Sequence, residues 1–382
     1  MVIKSINLRS RQNRVVRCSL SKMADMSFLN HFNNLLICSV RFDSYRGRVK
    51  ASGVIRNTIL LSIVTVSPIY FLFKLDFEQN LSRIKNISVV LRFVITLVTC
   101  AVILLESVWN HNKILHLTRI MADHANRMRW LDHKGSNIDV PFIRVEIGII
   151  LSLLLIMNLY TIYVYWNYLS ILMIVMGAIF NSNACYVTGN LVFMQFFAQY
   201  VTGEYLTLRL QLPSHSLEDI LSSADSLNRI KKAISRAFGK RLLLLLFHLL
   251  VNVSFCSYDI MTTIVEQKSS GWQLIRTIYV LLTVFLVNMV SLFGVSYSFD
   301  RVATEEQEFK NAVKSLQYTA TEEHSEDYLN FLDLINLKLM AESPKITACG
   351  LFTVNLQVFY NVFAAIVTYI MILFQFRDFE KA

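Results

Sequence analysis

The chain has 382 residues, of which 54% are hydrophobic and 17% charged. A soluble protein carries about 25% charged residues, so this composition argues against a water-soluble domain and for a chain that lives in lipid. The net charge of +10 does not indicate nucleic acid, because the basic residues fall between apolar runs and not on one soluble domain with stacking aromatics.

The first thirty residues are basic ("RSRQNRVVR") and lack the apolar stretch of a secretory signal. They share the arginine- and serine-rich bias of an organelle transit sequence, but residues 1–53 read more simply as a cytoplasmic tail. Seven apolar spans follow, each long enough to cross a hydrocarbon core of about 30 Å at about 1.5 Å per residue. They cover 54–75, with Pro68 inside, 87–108, 143–165, 169–201, 241–264, 273–297 and 346–376. The last exceeds one membrane thickness, so part of it is expected to form a separate short helix or to project beyond the bilayer.

Lysine and arginine concentrate in residues 1–53 and in the segments after the second, fourth and sixth spans. The positive-inside rule therefore puts the amino terminus in the cytoplasm and, after seven spans, the carboxyl terminus outside. A G-protein-coupled receptor has the opposite orientation. The fold class expected is all-α, a polytopic membrane protein of seven transmembrane helices. The sequon Asn86-Ile87-Ser88 falls in the first external loop, close to the second span, and Asn86 is the candidate glycosylation site.

Charged and polar residues within or beside the spans are the next candidates. Arg92 in the second span is expected to snorkel outward, as are Glu106, Glu146 and Glu204 at inner span ends. His111, His116, His124 and His133 show no zinc spacing and read as solvated. The stretch "NLYTIYVYWNYLS" at the outer junction of spans three and four holds Tyr160, Tyr163, Tyr165, Trp166 and Tyr168. Two readings stand: an interfacial aromatic belt, or a wall for an apolar small molecule. Tyr160 and Tyr163, one turn deeper, suit the wall; Trp166 and Tyr168 suit the belt. His248 in span five is expected to make a helix–helix hydrogen bond. Asp259 and Arg276, across the short outer loop between spans five and six, are expected to pair or to serve a ligand site.

The six cysteines, Cys18, Cys38, Cys100, Cys185, Cys256 and Cys349, show no metal-binding spacing and no disulfide framework. No metal or other cofactor is expected. Residues 300–345 differ from the other inner segments in being acidic, with Tyr328, Phe331, Leu332, Ile335 and Leu339 at helical spacing. They read as a cytoplasmic helical pair that extends spans six and seven and packs its apolar stripe against a neighbour; a solvated hairpin is the alternative.

In the final span Asn361, Thr368 and Gln375 recur every seven residues, nearly superposed on a helix, and Gln357, Ala364, Ala365 and Ile372 complete that face. Lipid cannot satisfy amides, so the stripe must meet other helices or water. Asp378 and Glu380 beyond it would concentrate cations at a pore mouth.

At this point the residues resemble a family. "TYIMILFQF", with Thr368, Tyr369, Gln375 and Phe376, is similar to the signature of the insect gustatory receptors, and "ITACGLFTVN" resembles that family's approach to its final helix. The resemblance implies a tetrameric ligand-gated cation channel, homomeric or mixed with related subunits, in the plasma membrane of gustatory receptor neurons. In that arrangement spans one to six (54–299) form the ligand-binding bundle, 300–345 anchor the subunits, 346–376 line the pore, and 377–382 are an external tail. Gln375, Phe376, Ile372, Thr368 and Asn361 would line the pore and its gate, passing monovalent cations and some calcium. The ligand expected is a small tastant, a bitter compound rather than a sugar, because the candidate wall is apolar and aromatic. An odorant-receptor-like channel subunit or co-receptor is the nearest alternative. A transporter would show paired repeats, and no GxGxxG, HExxH or GxSxG pattern supports an enzyme.

Overall fold

The computed structural model describes residues 40–43, 48–51, 83–131, 171–213, 216–266, 271–320 and 344–381, with single helical residues within 148–159 and 326–337. The first span, 54–75, lies outside the described residues. Two strands, β1 (Val40–Asp43) and β2 (Arg48–Ala51), pair antiparallel. Helices α1 (Arg83–Trp109), α2 (His111–Leu131), α3 (Ile171–Gln211), α4 (Leu217–Glu266) and α5 (Gly271–Ala320) follow. A second hairpin, β3 (Thr347–Ala348) and β4 (Phe352–Thr353), leads into α6 (Leu356–Lys381).

Helix α1 turns an apolar face outward and buries three hydroxyls beside Cys100, Ile103 and Leu104. Leu91, Val94, Val98, Val102, Leu105 and Trp109, spaced three and four apart, are exposed, whereas Thr96, Thr99 and Ser107 are buried on the other face. That arrangement suits a helix with lipid outside and polar neighbours inside. Among the described residues α1, α4 and α5 are long and apolar enough to cross a membrane, and α6 holds a shorter apolar stretch, Leu356–Ile372.

Helices α3, α4 and α5 run well past the spans expected for them, to 41, 50 and 50 residues. A 50-residue helix is about 75 Å long, against a hydrocarbon core of about 30 Å. The start of α4 explains its length. Ser216 Oγ accepts from Asp219 N at 3.3 Å and donates to Asp219 Oδ2 at 2.5 Å, and Glu218 and Asp219 occupy the first turn, where carboxylates favour the positive helix end.

The deepest packing lies where these extensions meet α2. Phe193 and Phe197 of α3 cluster with Phe238 of α4, and Tyr205 of α3 stacks near Phe309 of α5 at 5.9 Å. Ile114, Leu117, Met121 and Met128 give α2 its buried face, which packs on α4. The acidic segment 300–345 is thus half continuous with α5, which runs to Ala320. Its other half carries helical residues within 326–337, and the β3–β4 hairpin falls at the start of 346–376, where a separate short helix or a projecting end of the span was expected. Of the segment's apolar stripe, Ile335 is buried and Phe331 is exposed, while Tyr328, Leu332 and Leu339 lie outside the described residues.

Candidate functional site

Among the described residues, helix α6 packs against α4 and α5 along one side. Its contact face runs through Val358, Phe359, Val362 and Ile366, the last buried at 3% exposure. Phe359 meets Phe293 of α5 with ring centroids 5.5 Å apart, and Tyr369 meets Phe255 of α4 at 6.2 Å. On the far side, Gln357, Asn361, Ala364, Ala365, Thr368, Ile372 and Gln375 are all exposed. The protomer therefore leaves the whole polar stripe uncovered. Gln357 Nε2 donates to Asn361 Oδ1 at 3.0 Å and Thr368 Oγ1 to Ala364 O at 3.0 Å, which ties these groups to their own helix and leaves amide capacity outward. Phe376 lies in α6; its side chain is outside the described residues.

A second polar row runs up α4 at four-, four- and three-residue spacing, through His248, Asn252, Cys256 and Asp259, and faces Arg92, Thr96 and Thr99 of α1. Arg92 Nη2 meets Asp259 Oδ2 at 2.6 Å, and Arg92 Nη1 donates to Cys256 Sγ at 3.1 Å. Arg92 does not snorkel outward. A guanidinium in the span finds a carboxylate, whose Coulomb attraction is strong where the dielectric is low. His248 Nδ1 lies 3.4 Å from Thr99 Oγ1, the helix–helix contact expected of it. Asp259 thus has an ion-pair partner on α1 that the sequence did not suggest. Arg276 lies in the first turns of α5 with its side chain outside the described residues, as do Tyr160 and Tyr163 altogether. Asn86 falls within the first turn of α1, not in a loop.

Nearer the inner end, Arg241 is buried at 1% exposure and gathers three helices. Its Nε donates to Glu106 Oε2 at 3.3 Å, its Nη2 to Ser107 Oγ at 2.8 Å and to Ile103 O at 3.5 Å, and its Nη1 to Asn190 Oδ1 at 3.4 Å. Only a forked, planar cation reaches so many acceptors at once. Beyond it lies His124, expected to be solvated but wholly buried: Nδ1 is 3.0 Å from Ser226 Oγ and Nε2 3.6 Å from Glu204 Oε2. Glu204, expected at the interface, is buried with it. Neither burial was evident from the sequence, because helices that continue past a span carry the charged composition of loops. The i, i+3 and i+4 apolar spacing around His124 was the available signal.

The inner extensions also carry a buried ion pair, Lys231 Nζ to Glu306 Oε2 at 2.6 Å, with Lys310 Nζ on the other carboxylate oxygen at 3.1 Å. Lys231 lies over the Tyr205 ring at 5.3 Å. Burial, and then the Glu306 charge, push the Tyr205 phenol well above its ordinary range, so it stays neutral beside that carboxylate. Among the described residues no cluster of His, Cys, Asp and Glu has the makings of a metal site.

A family profile described as 7tm Chemosensory receptor matches residues 29–380. The chain belongs to that family. It is an all-α, multi-pass membrane receptor and not an enzyme. No curated protein matches it. Among solved structures, the insect olfactory receptor OR5 from Machilis hrabei is 13% identical, with a TM-score of 0.58 over 83% of this receptor and 88% of OR5. At that identity the likeness is one of fold. The structure of OR5 in complex with eugenol is 14% identical over 84% of this receptor and 97% of that chain, with a TM-score of 0.48.

Proposed function

We propose that this receptor is a gustatory subunit of a ligand-gated, non-selective cation channel, with α6 lining the ion path and the carboxyl terminus outside the cell. The observation that carries the reading is the stripe of Gln357, Asn361, Thr368 and Gln375, exposed on a helix of membrane length. Hydrocarbon cannot satisfy those amides, so they need water or other subunits. A ring of four such helices supplies both. The motif residues Thr368, Tyr369, Gln375 and Phe376 support the gustatory branch over the odorant-receptor-like alternative.

In this reading Phe376 closes the outer end by dewetting, and Gln375 offers amide oxygens to monovalent cations and calcium once the ring widens. The domains expected from the sequence stay as proposed, with the anchor enlarged by the inner parts of α3, α4 and α5. The tastant, a bitter compound, enters among the outer halves of spans two to six, against Tyr160 and Tyr163. Asp259, held by Arg92, shapes that wall, and Arg276 borders it. The ligand opens the path by binding the open arrangement more tightly. The test is expression in the plasma membrane of a host cell, alone and with related subunits, with patch-clamp recording against bitter compounds, sugars and volatile odorants. Ligand-evoked cation current that changes with Gln375→Leu supports the reading; current indifferent to that change overturns it.

A further inference from the structure

The inner parts of α4 and α5 and the two flanks of the β3–β4 hairpin enclose a cavity of about 220 Å³. The distribution of lysine and arginine puts this end of the molecule in the cytosol, opposite the wall proposed for the tastant. The floor is apolar: Phe299 and Val302 of α5, with Ile346 before β3 and Val354 after β4, are all buried. The rim lies at Ala303, Gln307 and Lys345, which are exposed.

Five ionisable side chains line the cavity, Lys231, Lys310 and Lys345 against Asp300 and Glu306. Both Glu306 oxygens are engaged, Oε2 by Lys231 Nζ at 2.6 Å and Oε1 by Lys310 Nζ at 3.1 Å. Asp300 Oδ1 accepts from Leu356 N, the first amide of α6, at 3.4 Å. What is left over is mostly donor. An ammonium has three N–H groups, and Glu306 takes only one of those on Lys310. Lys345 has no ion pair among the described residues. The Asn355 side chain accepts from Val358 N at 3.3 Å through its oxygen, which leaves its amide nitrogen to donate.

The wall thus holds one ammonium more than it holds carboxylates. An anion satisfies the excess, and the nearby charges of Asp300 and Glu306 oppose a second negative charge on the same ligand. Drug-sized ligands occupy about 300–1,000 Å³, so the occupant of this cavity is smaller than that. The geometry points to a binding site for a small organic monocarboxylate taken from the cytosol. Its carboxylate meets Lys310, Lys345 and the Asn355 amide in charge-assisted hydrogen bonds, and its hydrocarbon body lies on Val302, Ile346 and Val354. Such a ligand bridges α5 and both flanks of the hairpin, so its occupancy stabilises the folded receptor. The site needs neither an ion path nor the exposed stripe of α6, and stands or falls apart from the channel reading.

The test uses purified full-length receptor in detergent with hexanoate as the probe, followed by thermal unfolding and saturation-transfer NMR. Hexanoate is expected to bind saturably and to raise the melting temperature, whereas hexanol and hexylamine at the same concentration do neither. Lys345→Gln is expected to weaken hexanoate about fivefold. Ala303→Leu adds bulk at the cavity wall and is expected to abolish saturable binding. Both positions are exposed, so each variant is expected to keep the melting temperature of the unliganded receptor, and either one decides the matter when the other is poorly folded. Absence of saturable binding overturns the proposal. So does binding that survives both substitutions, which marks partition into the micelle or another part of the bundle. Tighter binding of succinate or hexyl phosphate than of hexanoate overturns the monocarboxylate assignment.

Discussion

Arg92 and Asp259, on α1 and α4, meet at 2.6 Å with side chains 17% and 3% exposed, and the Cys256 sulfur lies 3.1 Å from the same guanidinium. Taking away one member of a buried pair leaves the other charge uncompensated. Asp259→Ala is expected to cost about 3 kcal/mol. Thermal unfolding in detergent, followed by size-exclusion, should show the loss, and exchanging the two residues should recover part of it.

Arg241 makes a similar prediction with a sharper control. Arg241→Ala strands Glu106 and the Asn190 oxygen in the bundle, at a cost of about 3 kcal/mol. Arg241→Lys should recover little, because an ammonium cannot reach Glu106, Ser107, Ile103 and Asn190 together. The measurement is the melting temperature and the surface level of each variant.

The inner part of α4 hangs on its cap. Ser216→Ala removes the acceptor for Asp219 N and should destabilise by about 1 kcal/mol. Hydrogen exchange is expected to quicken over residues 217–225 and to stay unchanged in the apolar span. Uniform quickening along the whole helix would mean that the inner extension is not capped locally.

Phe238 sits between Phe193, Phe197 and the Arg241 guanidinium, which lies 5.4 Å from its ring centre. Phe238→Ala should cost about 3–5 kcal/mol through the cavity it leaves. Phe238→Leu should cost less. Surface expression and melting temperature should rank the three proteins in that order.

On the proposed channel reading, Gln375→Glu places a carboxylate in the ion path. It is expected to raise calcium permeability relative to sodium by about twofold, read from reversal potentials. No shift, in a channel with normal current, would move the narrow part of the path elsewhere.

The spans in α1, α4 and α5 and the polar face of α6 were legible because lipid imposes length and sidedness residue by residue. The stripe appears as an exposed face with no change to its membership. What escaped reading was set by partners distant in sequence. Arg92 looked like a snorkelling charge because its carboxylate is 167 positions away on α4, though the row His248, Asn252, Cys256, Asp259 already marked a polar seam in an apolar span. His124 and Glu204 looked solvated because helices beyond the membrane carry ordinary charged faces and mimic loops. Ser216-Leu217-Glu218-Asp219 was a readable helix start that the count of basic residues in that segment obscured. The β3–β4 hairpin had only a two-residue ladder to announce it, and its turn depends on positive φ at Cys349, a residue type that does not advertise one.

The pair of Lys231 and Glu306 is separated by 75 residues of chain. At ribosomal speeds of about 5–20 residues per second, the nascent polypeptide carries Lys231 for roughly 4–15 s before its carboxylate is made. During that interval α3 and α4 have no α5 to pack against, so the faces that carry Tyr205 and Lys231 wait uncovered. Variants that weaken the packing of α3 on α4, Phe238→Ala among them, are then expected to lose yield before α5 is made.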